Sequence, residues 1–308
     1  MAVPAIELTG LAKHYGSFHA LDGIDLSVPE GSVFGFLGPN GAGKTTTLRI
    51  LTGLAQATSG SAKVFGTDVA SAGNEVRARI GFLPDVPGFY DWMTAEEFMR
   101  FTGSLFGITG TTLDERVKAL LELAGLSDVK ARIGGYSRGM KQRLGVAQAL
   151  INAPSLLMLD EPTSALDPIG RKEVLDMIAS LAGRTTVFFS THILSDVERV
   201  CDTVAILDRG RVVAQAPIDD LKSRYGAQKI VLEVTSAADA LAKRFSAESW
   251  TSAVERENHS VILTVNDIDA ARLAIPAAVV AEGAGLVRME GGEVSLEEVF
   301  VELVGGER

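Results

Sequence analysis

Gly38-Pro39-Asn40-Gly41-Ala42-Gly43-Lys44-Thr45 lies between two segments that restrict the chain to a narrow set of folds. Before it, Val33-Phe34-Gly35-Phe36-Leu37 reads as a buried strand. After it, Thr45 to Gly53 reads as a helix that stops at a glycine. Strand, G-x-x-x-x-G-K-[ST] and helix in that order make a phosphate-binding loop. Its glycines let backbone N–H groups face an anion, and the helix start adds partial positive charge. Gly38, Pro39, Asn40, Gly41, Ala42 and Gly43 then form the cradle. Lys44 is placed to reach the β- and γ-phosphates, the Thr45 hydroxyl to hold Mg²⁺, and Thr46 to bond the α-phosphate. An incidental glycine-rich turn would not carry both the strand and the helix.

Short apolar and β-branched runs alternate with helical patterns as far as residue 225, which predicts a parallel-sheet α/β frame. Strands are expected at Ile80-Gly81-Phe82-Leu83-Pro84, Leu156 to Asp160, Thr185 to Ser190 and Val204 to Leu207. Within that frame, Thr94 to Leu105, Leu113 to Ala124 and Gly139 to Asn152 read as helices. Residues 86–152 are therefore an all-helical insertion, opened by the capping-box spacing of Thr94 and Glu97. The character changes after Tyr225-Gly226. Ile230 to Val234 and Val261 to Val265 read as strands around a helix near Ala237 to Phe245. The expected domains are 1–225 and a small α+β domain, 226–308.

Leu156-Leu157-Met158-Leu159-Asp160-Glu161-Pro162 is an apolar strand that ends in two adjacent carboxylates. Alternating side-chain direction sends these two to different neighbours, so they need different tasks. Asp160 suits the Mg²⁺ site, and Glu161 suits orienting or deprotonating an attacking water.

With these elements in order, residues 5–225 resemble the ATP-binding subunits of ABC transporters, a group of P-loop NTPases. The resemblance implies an α/β ABC ATPase with a mixed sheet, the helical subdomain and the small C-terminal domain. It also implies ATP and Mg²⁺ as cofactors. Tyr15, in His14-Tyr15-Gly16, holds the place of the aromatic that stacks on adenine; a buried structural tyrosine is the other reading. Tyr136-Ser137-Arg138-Gly139-Met140 stands where the family signature Leu-Ser-Gly-Gly-Gln stands. Ser137 and Gly139 are implied to bond the γ-phosphate held by an opposing subunit, and Asp167 to act across the same dimer. His192, after Ser190-Thr191, matches the switch histidine. Asp85 departs from the family's glutamine, and is either a shorter metal ligand or a plain loop residue.

Two further stretches are similar to the family. Val86-Pro87-Gly88-Phe89-Tyr90-Asp91-Trp92-Met93 is rich in aromatics for a chain with 6% of them. It either borders the groove that receives a permease helix or forms the core of the helical insertion. Val294-Ser295-Leu296-Glu297-Glu298-Val299-Phe300-Val301-Glu302-Leu303 looks like the tail of drug- and polymer-exporter subunits, although Val299, Phe300 and Leu303 also share one helical face. The resemblance thus implies an exporter subunit, paired as a homodimer with a second ATPase subunit and with a separate transmembrane permease.

Composition bears on the alternatives. The formal charge of −10 argues against nucleic-acid partners, which require basic surface. Residues 226–308 carry seven Lys/Arg against fourteen Asp/Glu, so most of the acidity lies in the tail. A soluble ABC ATPase acting on ribosomes or DNA would be expected to show two cassettes or a heptad run. A regulatory module that has lost catalysis would lack one of Lys44, Asp160, Glu161 or His192. One cysteine, no apolar run of ~20 residues and no signal-like start predict a cytoplasmic protein, peripheral on the inner membrane face through its permease.

Overall fold

The computed structural model describes residues 3–225, 228–258, 260–292 and 295–305. Its contacts divide the chain into two units, Met1–Ile218 and Asp219–Arg308. The composition change put the boundary at 225/226. Gly226 lies outside the described residues, as does Val294 of the tail motif.

The first unit runs β1 (Ile6–Tyr15), β2 (Phe18–Val28), β3 (Val33–Leu37), α1 (Lys44–Leu51), β4 (Ser59–Val64), β5 (Thr67–Asp68), α2 (Gly73–Ala78) and β6 (Ile80–Leu83). It continues through α3 (Ala95–Leu105), α4 (Gly110–Leu123), α5 (Arg138–Ala149), β7 (Leu156–Asp160), α6 (Pro168–Ala179), β8 (Thr186–Thr191), α7 (Leu194–Val200), β9 (Thr203–Asp208) and β10 (Arg211–Pro217). Six strands form a mixed sheet in the order β10-β9-β3-β8-β7-β6, parallel except for β10. β3, β7 and β8 are buried at every residue. That explains the unbroken apolar runs of β3 and of β7 as far as Leu159, since a parallel strand covered on both faces has no polar side; β8 buries Thr186, Ser190 and Thr191 beside Val187, Phe188 and Phe189.

A second, antiparallel sheet, β2-β1-β4-β5, packs into the same core. Leu11 and Ile24 from it join Phe34, Phe36, Leu48 and Phe188 in one buried cluster. The Phe188 ring lies 5.8 Å from Phe34 and 5.1 Å from Phe36. This sheet is absent from the sequence reading for a physical reason. Register shifts after Leu8 and Leu11 break the strict alternation that marks a half-buried strand.

The helical insertion starts where the spacing of Thr94 and Glu97 places it. The Glu97 N–H donates to Thr94 Oγ1 at 3.3 Å, and the Thr94 N–H donates to Glu97 Oε2 at 2.8 Å. Thr94→Ala should cost about 1 kcal/mol of stability, read as a lower urea midpoint with unchanged slope. The aromatic stretch before this helix is partly packed against it and partly exposed. Phe89 packs edge-on to the buried Phe98 at 5.3 Å, whereas Tyr90 and Trp92 stay exposed.

The second unit holds α8 (Ile218–Tyr225, whose first residue closes the first unit), β11 (Gln228–Val234), α9 (Ala238–Phe245), β12 (Thr251–Glu257), β13 (Ser260–Val265), α10 (Ile268–Ala281), β14 (Leu286–Gly292) and α11 (Leu296–Gly305). Its sheet is antiparallel in the order β12-β13-β11-β14, and α9 and α10 contribute to its core. Lys229 Nζ pairs with Glu298 Oε1 at 2.5 Å, and Leu296 and Val299 of α11 are buried. Among the described residues, no helix is long and apolar enough to cross a membrane.

Candidate active site

β3, β8, β7 and β6 are consecutive neighbours in the parallel part of the sheet, so the loops at their carboxyl ends converge. Leu37 stands opposite Thr191, Ser190 opposite Asp160, and Leu159 opposite Leu83. Ligands of open α/β sheets bind at this edge. Here it carries the glycine-rich loop, His192, Asp160 with Glu161, and Asp85.

The loop has its shape because two of its glycines cannot carry a side chain. Gly43 has φ +114°, and a Cβ there would lie 2.6 Å from Leu21 Cδ2 and 2.7 Å from the Ala20 carbonyl oxygen. A Cβ on Gly38 would lie 2.3 Å from the Leu207 carbonyl oxygen. α1 then begins with no side-chain cap and no acidic residue in its first turn. Its N–H groups and positive end are thus left to serve an anion.

Lys44 is 5% exposed. Its Nζ donates to the Gly38 carbonyl at 2.7 Å and to Pro39 at 3.3 Å. The same Nζ lies 3.1 Å from Glu161 Oε1, while Glu161 Oε2 lies 2.8 Å from His192 Nδ1. Lysine, carboxylate and imidazole therefore form one continuous polar chain; Lys44 and Glu161 line the cavity beside it, and His192 stands behind Glu161 outside the lining. That cavity, about 300 Å³, is lined by Asn40, Lys44, Thr45, Thr46, Asp85 and Glu161 among others. Glu161 takes φ +48°, a left-handed conformation costing of order 1–3 kcal/mol for a residue with a Cβ, and one that persists only under surrounding restraint.

Asp160 is 2% exposed and accepts from Ser190 Oγ at 2.6 Å and from the Thr45 hydroxyl. Burial pushes its carboxyl above the usual range. The two hydrogen bonds oppose that shift, and the charges of Glu161 and Asp85 add to it. A cation beside Thr45 and Asp160 would relieve the unfavourable burial. The donors are hard oxygens, as Mg²⁺ requires. No cluster of three or more His, Cys, Asp or Glu suited to a metal occurs among the described residues. A Mg²⁺ ion here would therefore take its remaining ligands from phosphates and water, its ordinary habit at nucleotide sites. Asp85 is exposed at the same cavity, within electrostatic reach of Asp160.

Tyr15 ends β1 with 48% of its surface exposed and Lys13 Nζ 4.8 Å above its ring, so the buried structural reading does not hold. Phe18, three residues on and absent from the sequence reading, lines the cavity itself at 61% exposure. Its signal was available: a large apolar ring directly after the Gly16-Ser17 turn. Asp196 was also passed over, because an acidic residue on a short helix reads as solvated; it is 1% exposed, four residues past His192.

Ser137, Gly139 and Asp167 do not line this cavity. Ser137 caps α5 by accepting from the Met140 N–H at 3.2 Å. A Cβ on Gly139 would lie 3.5 Å from Gly170 Cα, and one on Gly170 would lie 2.8 Å from Asp167 Oδ1. The starts of α5 and α6 are thus packed together, with Asp167 beside the turn that holds Ser137 and Gly139.

Comparison with known proteins points the same way. A family model described as ABC transporter matches residues 21–164. Another, described as the C-terminal domain of DrrA1-3-like ATP-binding proteins, matches residues 217–304. The ABC transporter ATP-binding protein YxlF of Bacillus subtilis is 40% identical over 301 residues, 97% of this chain and 99% of its own. The bacitracin transport ATP-binding protein BcrA of Bacillus licheniformis is 38% identical over 305 residues, 98% of this chain and 97% of its own. A bacterial ABC transporter cassette solved as a dimer superposes with a TM-score of 0.63 at 25% identity, over 69% of this chain and 98% of that one.

Proposed function

The chain belongs to the ABC transporter family as an ATP-binding, ATP-hydrolysing subunit, and we propose that it powers a separate transmembrane permease, in export, as a homodimer closing around two ATP molecules. The observation that carries the residue assignment is the Lys44–Glu161–His192 chain, whose first two members line the phosphate-loop cavity. In this reading Lys44 and the backbone N–H groups of residues 40–46 bind the phosphates, and Tyr15 and Phe18 take the base. Glu161 holds and deprotonates the attacking water, and His192 orients Glu161 and senses the γ-phosphate. Thr45 and Asp160 would hold Mg²⁺, with Asp85 beside them in place of an amide. When bound, Mg²⁺ neutralises charge on the phosphate oxygens.

The placement of Ser137 and Gly139 away from their own chain's cavity supports their use on a partner's ATP. The relative solved as a dimer supports pairing. Support for a permease partner comes from a groove of about 360 Å³ lined by Leu54, Phe82, Phe106 and Asn152 among others. The exposed Tyr90 and Trp92 add apolar surface of the kind that grips a helix. With a permease as partner, the protein sits peripherally on the cytoplasmic membrane face. Export is supported by the DrrA-like match at 217–304 and by the bacitracin transport relative. Similarity to transporter subunits along nearly the whole chain favours this reading over an ATPase acting on ribosomes or DNA.

The test is hydrolysis of Mg·ATP by the full chain beside Lys44→Ala. Loss of charge-assisted bonds worth about 1.5–3 kcal/mol should weaken ATP binding roughly ten- to a hundredfold and bring phosphate release to background. Unchanged binding and turnover in that variant would sink the site assignment.

A further inference from the structure

Asp196 is a carboxylate with no part in the reaction as described, yet it is almost fully buried and both of its oxygens are engaged. Thr163 Oγ1 donates to Oδ2 at 2.5 Å, and Arg171 Nε donates to Oδ1 at 2.6 Å. Arg171 also donates through Nη2 to the Oγ of Ser195, next to Asp196 in the chain, at 2.8 Å. Each partner belongs to a segment that carries a site residue. Thr163 follows Glu161 by two residues and is itself 1% exposed. Arg171 lies one helical turn after Asp167, and its N–H donates to the Asp167 carbonyl at 2.9 Å. Asp196 lies four residues after His192, its own N–H donating to the Ile193 carbonyl at 3.2 Å. One carboxylate therefore ties together the segment after β7, the start of α6 and the segment after β8.

The segment it holds is under backbone strain. Glu161 has φ +48° and Ala165 has φ +53°, and Thr163 stands between them. Residues with a Cβ remain in that region only where neighbours over-determine the conformation. The Glu161 N–H is held by the Ser190 carbonyl at 2.9 Å, and its carbonyl accepts from the Ser164 N–H at 3.1 Å. The Thr163–Asp196 bond is the side-chain anchor in the same turn.

We infer that Asp196 is a positioning residue: by gripping Thr163 and Arg171 together it sets the separation of Glu161 from His192 and the heading of Asp167. This rests on the proposed reading of Glu161 and His192 as the hydrolytic pair. Asp196 does not line the phosphate cavity. Its loss should therefore leave ATP binding alone and slow the chemical step.

Steady-state hydrolysis by the full-length protein, with titration of a fluorescent ATP analogue, provides the test. Asp196→Ala should lower kcat by ~10- to 100-fold, the scale on which misplacing a reacting group by about an ångström acts, with analogue affinity within about threefold of wild type. Asp196→Asn offers one acceptor oxygen to two donors and should fall between. Thr163→Val keeps the side-chain shape, removes one link, and should match Asp196→Asn. Combining Thr163→Val with Asp196→Ala should be no slower than Asp196→Ala alone, because both act through the same bond. A carboxylate with a stabilising role only would lower the melting temperature, leave kcat of the folded protein near wild type and give additive double variants; that pattern overturns the inference. If Asp196→Ala does not fold, Asp196→Asn and Thr163→Val carry the same comparison. Glu161→Gln, run alongside, separates the two claims. If it turns over normally, the reading of the site fails; if it is inactive while Asp196→Asn and Thr163→Val keep wild-type kcat, only the inference fails.

Discussion

Glu161→Gln should hold ATP but scarcely hydrolyse it, with turnover reduced by roughly a hundredfold or more, the scale of a lost general base. The geometry gives each carboxylate oxygen a separate partner. Oε1 lies 3.1 Å from Lys44 Nζ, and Oε2 lies 2.8 Å from His192 Nδ1. Glutamine preserves the shape and one acceptor but cannot take a proton from water at neutral pH. A second consequence separates this substitution from a general loss of function. In the wild type, the Glu161 carboxylate and the incoming phosphates compete for the same lysine. A neutral amide competes less and repels the γ-phosphate less, so ATP affinity should be equal to or tighter than wild type. Phosphate release at saturating Mg·ATP reads the first effect, and nucleotide titration reads the second. Size-exclusion chromatography should also show an ATP-bound dimer that persists, since the step that would open it is blocked. Wild-type turnover in a folded Glu161→Gln protein would remove Glu161 from the mechanism.

The parts of this site that are legible in the sequence are those whose meaning is local. The run from Gly38 to Thr46 carries its flanking strand and helix with it, and Asp160-Glu161 follows its own apolar strand, so periodicity and spacing suffice. His192 is legible only through its order after the other motifs; as a histidine beyond a strand it has no distinguishing local pattern. Phe18 and Asp196 stay hidden because their roles are set by residues far along the chain. Phe18 faces a cavity built by Lys44 and Glu161, and Asp196 is buried by Thr163 and Arg171. The same division holds for the fold. Strands β3 and β7, apolar at nearly every position, announce themselves, and β8 does so through Val187-Phe188-Phe189. The antiparallel β1 and β2, bulged and half-polar, do not. In the second unit the apolar run from Ala277 to Val287 conceals a change of element. It holds the end of α10, with Pro276 inside that helix, and then the first residues of β14.

Neither Lys44→Ala nor Ser137→Arg subunits should hydrolyse ATP by themselves, yet a mixture of the two should recover activity. The expectation follows from where the parts lie. Lys44 lines the cavity of its own chain, whereas Ser137 caps α5 and lines none of it. If Ser137 and Gly139 serve the partner's nucleotide, each site joins one subunit's phosphate loop to the other's α5 start. A mixed dimer then gathers both lesions into one site and leaves the second intact. Random pairing makes half the dimers mixed, so recovery should approach roughly a quarter of wild-type activity for a two-fold-symmetric pair. Were both elements to act within one chain, every site in the mixture would carry a lesion and nothing would recover. Arginine at position 137 also removes the α5 cap, worth about 1 kcal/mol, so a modest fall in melting temperature accompanies the change. That fall cannot imitate complementation, because a destabilised subunit gains nothing from a partner with an empty phosphate loop. Ser137→Arg alone should bind a fluorescent ATP analogue as wild type does, since its own cavity is untouched. Weakened binding there, or no recovery in dimers shown by differential tagging to be mixed, would place Ser137 in its own chain's site and dissolve the shared one.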